Sequence, residues 1–278
     1  MNYVRAGSER ELIAASGEPG AVLLCGGTDV LVRVHAGTLR PRLLVDISCV
    51  ASLQRLAVTP RGAEIGAAVT VARILDSPDI RRGYPLLAAA LRSLGSVQIR
   101  NRATIGGNLA NASPAADSAP ALLAYGARLV LAAQDEERSV PVSQFLLGPG
   151  RTALRKGEYI RSIVLPPPRA DESTFFHKVG RRRAMTIAIA SLAGRLALQD
   201  GIVLEASLAA GSVAPVPVRL ERTERLLLGR RLDAALAHDA AEAALGDIAP
   251  IDDVRASAAY RREVVGDLVA RFLSTARA

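Results

Sequence analysis

Tryptophan is absent from this chain of 278 residues, and five tyrosines and four phenylalanines are its only other aromatic rings of that kind. A surface that stacks bases needs rings set among its cations, so a nucleic-acid platform is not expected. Cysteine is as scarce: Cys25 and Cys49 are the only two. An iron–sulfur cluster takes four thiolates, and a structural zinc site takes four Cys or His ligands. His35, His177 and His238 are scattered without ligand spacing. No metal centre is therefore expected in this chain, and a Cys25–Cys49 disulfide is not expected in a reducing compartment. Lysine is confined to Lys156 and Lys178, so the net charge of +8 rests on arginine. Such a balance can point to nucleic acid or acidic partners, but a compositional bias toward Arg and Ala is the simpler account.

No uninterrupted apolar run approaches the roughly 18–20 residues that cross a bilayer. Met1 to Arg5 lead into polar residues rather than the apolar core of an export signal, so the expected location is the cytoplasm. Half of the residues are hydrophobic, enough for a substantial core, and the length favours two domains. The familiar nucleotide and hydrolase motifs are missing too. Lys156 precedes Gly157 and Lys178 precedes Val179, so no P-loop is formed. No Gly-x-Gly-x-x-Gly links a strand to a helix, and no Gly-x-Ser-x-Gly marks a nucleophile elbow.

What is present is organised. Ser8-Glu9-Arg10-Glu11 is a capping box that predicts a helix from Glu9 to Ser16. Ala21 to Cys25 reads as a buried strand, Val30, Leu31 and Val34 have helical spacing, and Leu43 to Ile47 reads as another strand. That order marks a small parallel α/β unit. Gln54–Val58 and Ala63–Ala68 predict a hairpin, followed by helices near Val71–Asp76, Leu86–Leu94 and Ser118–Tyr125. Arg128–Ala132, Arg138–Val142 and Tyr159–Leu165 are further strand candidates, and Pro166-Pro167-Pro168 is the expected domain boundary. Beyond it, Thr174–Val179, Ala188–Leu198 and Ile202–Ala209 predict an antiparallel sheet turning at Gln199-Asp200-Gly201. Helices are expected over Arg219–Leu228, Leu232–Leu245 and Ser257–Ala276.

Two glycine-rich segments carry the functional signal: Cys25-Gly26-Gly27-Thr28-Asp29 and Ala103-Thr104-Ile105-Gly106-Gly107-Asn108. The second runs on without charge through Leu109-Ala110-Asn111-Ala112-Ser113-Pro114-Ala115-Ala116 to Asp117. Paired glycines let successive N–H groups point into one concavity, which holds phosphate oxygens without a lysine. Two such nests on separate loops are expected to grip a pyrophosphate from both sides.

These segments, with Phe176-His177-Lys178, Arg182, Arg183 and Gly211-Ser212-Val213-Ala214-Pro215, resemble the flavin subunit of the molybdenum hydroxylases. Those are the enzymes of the xanthine dehydrogenase and carbon monoxide dehydrogenase type, and the resemblance covers the whole chain in order. It implies an α+β fold with an FAD-binding domain over residues 1–168, related to the vanillyl-alcohol oxidase (PCMH-type) flavoproteins. That domain has a small α/β lobe (about 1–55) and an antiparallel-sheet lobe (about 56–168). A C-terminal domain of antiparallel sheet with helices follows over 174–278. It also implies separate partner subunits carrying two-iron clusters and the molybdenum cofactor, and an acceptor such as NAD or a quinone. The cysteine count agrees, because this chain lacks the thiolates for those clusters.

The resemblance places FAD against Leu23, Leu24, Cys25 and Val30 as well as Gly26, Gly27 and Thr28, whose N–H groups face the pyrophosphate. Asp29 either caps the following helix or lines the flavin cavity. Thr104, Gly106, Gly107 and Asn108 are expected as the opposing nest, with Ile105 beside them at the cofactor. Ser113 and Asp117 are expected on the ribityl chain or adenosine, with helix capping the alternative for Asp117. Leu94 stands where some relatives place an aromatic ring, and Ile160 where relatives often use an aliphatic flavin contact. Lys178 is the candidate catalytic cation, near the flavin pyrimidine end, where it stabilises negative charge on reduction. The Arg181–Arg183 run reads as a solvent or partner face. A stand-alone flavin oxidoreductase is the alternative, and a non-catalytic arginine-surface protein a third.

Overall fold

The first fifty residues alternate short strands with short helices, which makes a parallel sheet the economical arrangement. In the computed structural model, which describes residues 1–134, 136–182 and 186–276, strands β1 (Asn2–Arg5), β2 (Ala21–Leu24) and β3 (Leu43–Asp46) form that sheet. The order is β1-β3-β2, and both flanking strands run parallel to β3. Helix α1 (Glu9–Ser16) makes the crossover from β1 to β2. Its first turn is closed as the sequence predicts: Ser8 Oγ accepts from Glu11 N, and Glu11 Oε2 accepts from Gly7 N. Helix α2 (Val30–His35) leads from β2 toward β3.

A second sheet is antiparallel, with order β4-β5-β10-β6-β7. It is built from the hairpin β4 (Leu56–Thr59) and β5 (Gly62–Gly66), then β6 (Arg128–Ala132), β7 (Glu137–Pro141) and β10 (Tyr159–Leu165). A small ribbon, β8 (Leu146–Gly148) and β9 (Arg151–Thr152), precedes β10. Between β5 and β6 lie helices α3 (Val71–Asp76), α4 (Pro78–Gly83), α5 (Pro85–Arg92), α6 (Val97–Arg102), α7 (Ile105–Ala110) and α8 (Ser118–Ala124). Helix α9 (Val142–Phe145) follows β7. Their apolar faces and the sheet share one core containing Ile65, Leu87, Leu91, Leu122, Leu131 and Ile163.

The third sheet has order β11-β12-β13-β14, from β11 (Ser173–Val179), β12 (Ala190–Gln199), β13 (Ile202–Gly211) and β14 (Val218–Arg219). Asp200 and Gly201 both have positive φ, as a two-residue hairpin turn requires. Helices α10 (Glu221–Leu227), α11 (Ala234–Leu245) and α12 (Ala258–Ala276) enclose a core of their own with this sheet, containing Leu192, Leu208, Leu236, Val265 and Phe272.

Helix α8 packs against β12 and β13. Three donors from the third sheet meet the last carbonyls of α8: Arg195 Nη1 and Ser207 Oγ reach Ala124 O, and Arg219 Nη1 reaches Leu123 O. Helix-end carbonyls lack intrahelical partners, so these contacts satisfy α8 and fix it to the third sheet. Arg195 is held in turn by Glu172 at 2.6 Å and lies over the Tyr125 ring.

The three-sheet α+β architecture is the one the family resemblance implies. The sequence pattern does not anticipate β1, β8, β9, β14, α4, α6, α7 or α9.

Candidate cofactor site

A cavity of about 360 Å³ opens between the first sheet and the antiparallel lobe. Leu23 and Ile47 come from the ends of β2 and β3, Tyr159 and Ile160 from β10, and Leu94 and Ile99 from either side of the α5–α6 turn. Thr28, Asp29, Arg33, Thr104, Asn108 and Asn111 add polar groups to this largely apolar lining. Volume and composition are those of a small-molecule or cofactor site.

The first glycine segment forms a turn between β2 and α2. Gly27 has φ of +77°, a conformation that glycine adopts without a Cβ penalty. Gly26 serves another purpose: a Cβ there would lie 2.0 Å from Arg102 O, so the turn packs directly on the backbone at the end of α6. Among the described residues, the N–H groups of Gly26, Gly27 and Thr28 have no hydrogen-bond partner. All three residues line the cavity, and their N–H groups are donors without an acceptor. Asp29 occupies the N-cap position of α2 without a capping hydrogen bond and lines the cavity.

The second glycine segment is a helix, which corrects the expected nest. Thr104 is the N-cap of α7, and its hydroxyl accepts from Gly107 N. Ile105 N donates to Val69 O, Gly106 N to Ala67 O and Asn108 N to Thr104 O. The N–H groups of Ile105, Gly106, Gly107 and Asn108 are thus already engaged within the protein. Gly106 is explained by packing, since a Cβ would meet the Ala67 Cβ at 2.5 Å. What the segment presents instead is one helical face, with Thr104, Asn108 and Asn111 all on the cavity lining. Asn108 Oδ1 accepts from Ser118 Oγ at 2.5 Å, which leaves its amide N–H groups for other partners.

Leu23, Cys25, Gly26, Gly27, Thr28, Asp29, Val30, Leu94, Thr104, Gly106, Gly107, Asn108 and Ile160, all expected at the cofactor, line this cavity. Leu24, Ile105, Ser113, Asp117 and Lys178 lie outside its lining. Leu24 and Ile105 are buried in packing, and Ser113 Oγ accepts locally from Ala115 N. Lys178 does not face the cavity: its Nζ lies 2.7 Å from Asp117 Oδ2 and donates to Ser93 O at 3.0 Å. Asp117 stands at the N-cap position of α8 without a capping hydrogen bond and lies outside the cavity lining. Burial pushes its carboxyl up to about 6, against the pull of Lys178. The pair therefore ties β11 to the residue beside Leu94. Arg181 and Arg182 are exposed, and Arg183 lies outside the described residues.

Arg33, Ile47, Ile99, Asn111, Leu154 and Tyr159, to which the sequence reading gives no cofactor role, also line the cavity. Asn111 is legible from its i, i+3 spacing to Asn108 once this stretch is read as a helix. Cys25 lies in the cavity wall, and burial raises its thiol to about 11, so it is neutral near pH 7.

Residues 1–168 match a family model described as the FAD binding domain in molybdopterin dehydrogenase. Residues 175–276 match the CO dehydrogenase flavoprotein C-terminal domain. The chain belongs to the FAD-binding subunits of the molybdenum hydroxylases. It is 33% identical over 278 residues to the xanthine dehydrogenase FAD-binding subunit of Escherichia coli O157:H7, covering 99% of this chain and 95% of that one. A solved carbon monoxide dehydrogenase from Hydrogenophaga pseudoflava contains a chain 30% identical to this one. The two superpose with a TM-score of 0.95, covering 99% of this chain and 96% of the other. Quinoline 2-oxidoreductase from Pseudomonas putida 86 gives a TM-score of 0.94 at 27% identity, over 100% of this chain and 96% of the other.

FAD is the cofactor of this FAD-binding subunit, and the residues present fit it. An unsatisfied row of backbone donors suits a diphosphate, and the apolar walls suit a planar ring system.

Proposed function

We propose that the Gly26-Gly27-Thr28 turn holds the FAD diphosphate with its N–H groups, and that Asn108 faces it from α7 with its side-chain amide. One observation carries this reading: the first segment has unpartnered donors on the cavity lining, whereas those of the second are occupied. Leu94, Ile99, Leu154 and Ile160 exclude water from the ring system, and the Lys178–Asp117 pair keeps the Leu94 wall in place. When bound, FAD supplies the redox chemistry, and the protein supplies position and field.

The chain works within a heteromeric molybdenum hydroxylase, receiving electrons from an iron–sulfur subunit that is itself fed by a molybdenum-cofactor subunit. Its two cysteines support this division of labour, because four thiolates are needed for a cluster. The electrons leave to NAD, a quinone or another acceptor. Among the described residues no helix is long and apolar enough to cross a membrane.

The test is purification of the native assembly under gentle conditions. One FAD per copy of this chain, with an iron–sulfur chain and a molybdenum chain in equal number, is the expected result. A chain that takes up no FAD on reconstitution, or that oxidises a small substrate with no partner present, contradicts it.

A further inference from the structure

The proposed diphosphate carries negative charge into a cavity whose lining already holds the Asp29 carboxylate. The turn donors are neutral N–H groups, and Lys178 is committed to Asp117 outside the lining. Among the described lining residues, Arg33 is the only lysine or arginine. It lies one helical turn beyond Asp29 on α2, and its Nη1 is 3.7 Å from Asp29 Oδ2. Both side chains are substantially exposed, at 49% and 41%. An exposed pair at that separation is weak and holds neither partner firmly. Side chains on a helix lean toward its N-terminus, so the Arg33 stem runs back along α2 in the direction of the Gly26–Thr28 turn. A guanidinium fork matches two phosphate oxygens, a geometry that an ammonium does not reproduce.

We propose that Arg33 is the cation that recognises the FAD diphosphate, exchanging its loose contact with Asp29 for the anion. This inference rests on the site reading above and adds a residue to it. Arg33 is then a binding residue with no part in shaping the ring pocket.

The test uses the full chain, stripped of flavin, titrated with FAD and separately with riboflavin, which has the ring and ribityl chain but no phosphate. Arg33→Ala is expected to raise the FAD dissociation constant about tenfold, as loss of an ionic hydrogen bond at a partly exposed site implies. Riboflavin affinity is expected to stay unchanged, and the salt dependence of FAD binding to flatten. Arg33→Lys is expected to recover only part of the loss. Melting temperatures of the flavin-free proteins establish that all variants are folded. Unchanged FAD affinity in Arg33→Ala, or an equal loss for FAD and riboflavin, overturns the proposal while leaving the site reading intact. A wild-type chain that binds no FAD overturns both.

Discussion

Lys178 and Asp117 form a buried pair whose removal should be costly in one order and mild in another. Their side chains are only 7% and 8% exposed, and Asp117 Oδ1 already lacks a partner. Lys178→Met would strip the remaining oxygen of its partner and leave an uncompensated charge in the interior. Breaking a buried pair in this way costs about 3–5 kcal/mol at neutral pH. For a chain of this size that is a fall of roughly 10 °C in melting temperature. The cost should depend on pH in a defined direction. Burial raises the folded pKa of Asp117 to about 6 from an ordinary 3.8, so the folded state keeps a proton that the unfolded chain releases in that window. The stability this contributes is full below about pH 4 and is lost as pH rises through 6. Near pH 5 the carboxyl is largely protonated even in the wild type, and Lys178→Met then removes only the hydrogen bonds to Ser93 O and to the neutral carboxyl, about 1 kcal/mol each. Melting curves at pH 5 and pH 8 should therefore show a deficit that widens with pH. Asp117→Asn combined with Lys178→Met should recover most of the loss at pH 8. A deficit equal at both pH values, or a double variant as unstable as the single one, would refute the reasoning.

Other outcomes follow from the same geometry. Gly26→Ala places a Cβ 2.0 Å from the Arg102 carbonyl and should part the turn from α6, abolishing FAD uptake in a reconstitution assay. Gly106→Ala meets Ala67 at 2.5 Å and should destabilise by about 2 kcal/mol or more. Gly107→Ala, whose Cβ would meet only the Thr104 hydroxyl at 2.9 Å, should be milder, with thermal melts reading the difference. Cys25, with its thiol raised to about 11, is about one part in a thousand thiolate at pH 8. Mass spectrometry after brief alkylation at that pH should find exposed Cys49 modified before Cys25, and FAD should slow Cys25 further.

Much of the site is legible in the residues themselves. The turn at Gly26–Gly27 ends a strand and opens a helix, and its positive φ falls on the second glycine of the pair. Thr104–Asn111 misleads for a physical reason. Adjacent glycines cost a helix about 1 kcal/mol each and so read as a loop. Here tertiary packing of Gly106 on Ala67 overrides that propensity. The recurrence of Thr104, Asn108 and Asn111 at helical spacing is the signal that marks the helix. Strand β1 has no buried residue, so it shows no alternation to detect, and β-pairing with β3 alone defines it. Ile47 and Tyr159 reach the cavity from strands far apart in the chain, which no local pattern reveals. Lys178 is conspicuous in a chain nearly free of lysine, yet rarity does not show where an amine points. Its partner Asp117 does.

The most direct test of the central claim is amide NMR of the isotope-labelled chain with and without FAD. The account predicts large shifts and new exchange protection at the N–H groups of Gly26, Gly27 and Thr28. Those of Ile105, Gly106 and Gly107 should already be protected in the flavin-free protein and stay so. New protection confined to the second segment, with the Gly26–Thr28 amides unmoved, would contradict it.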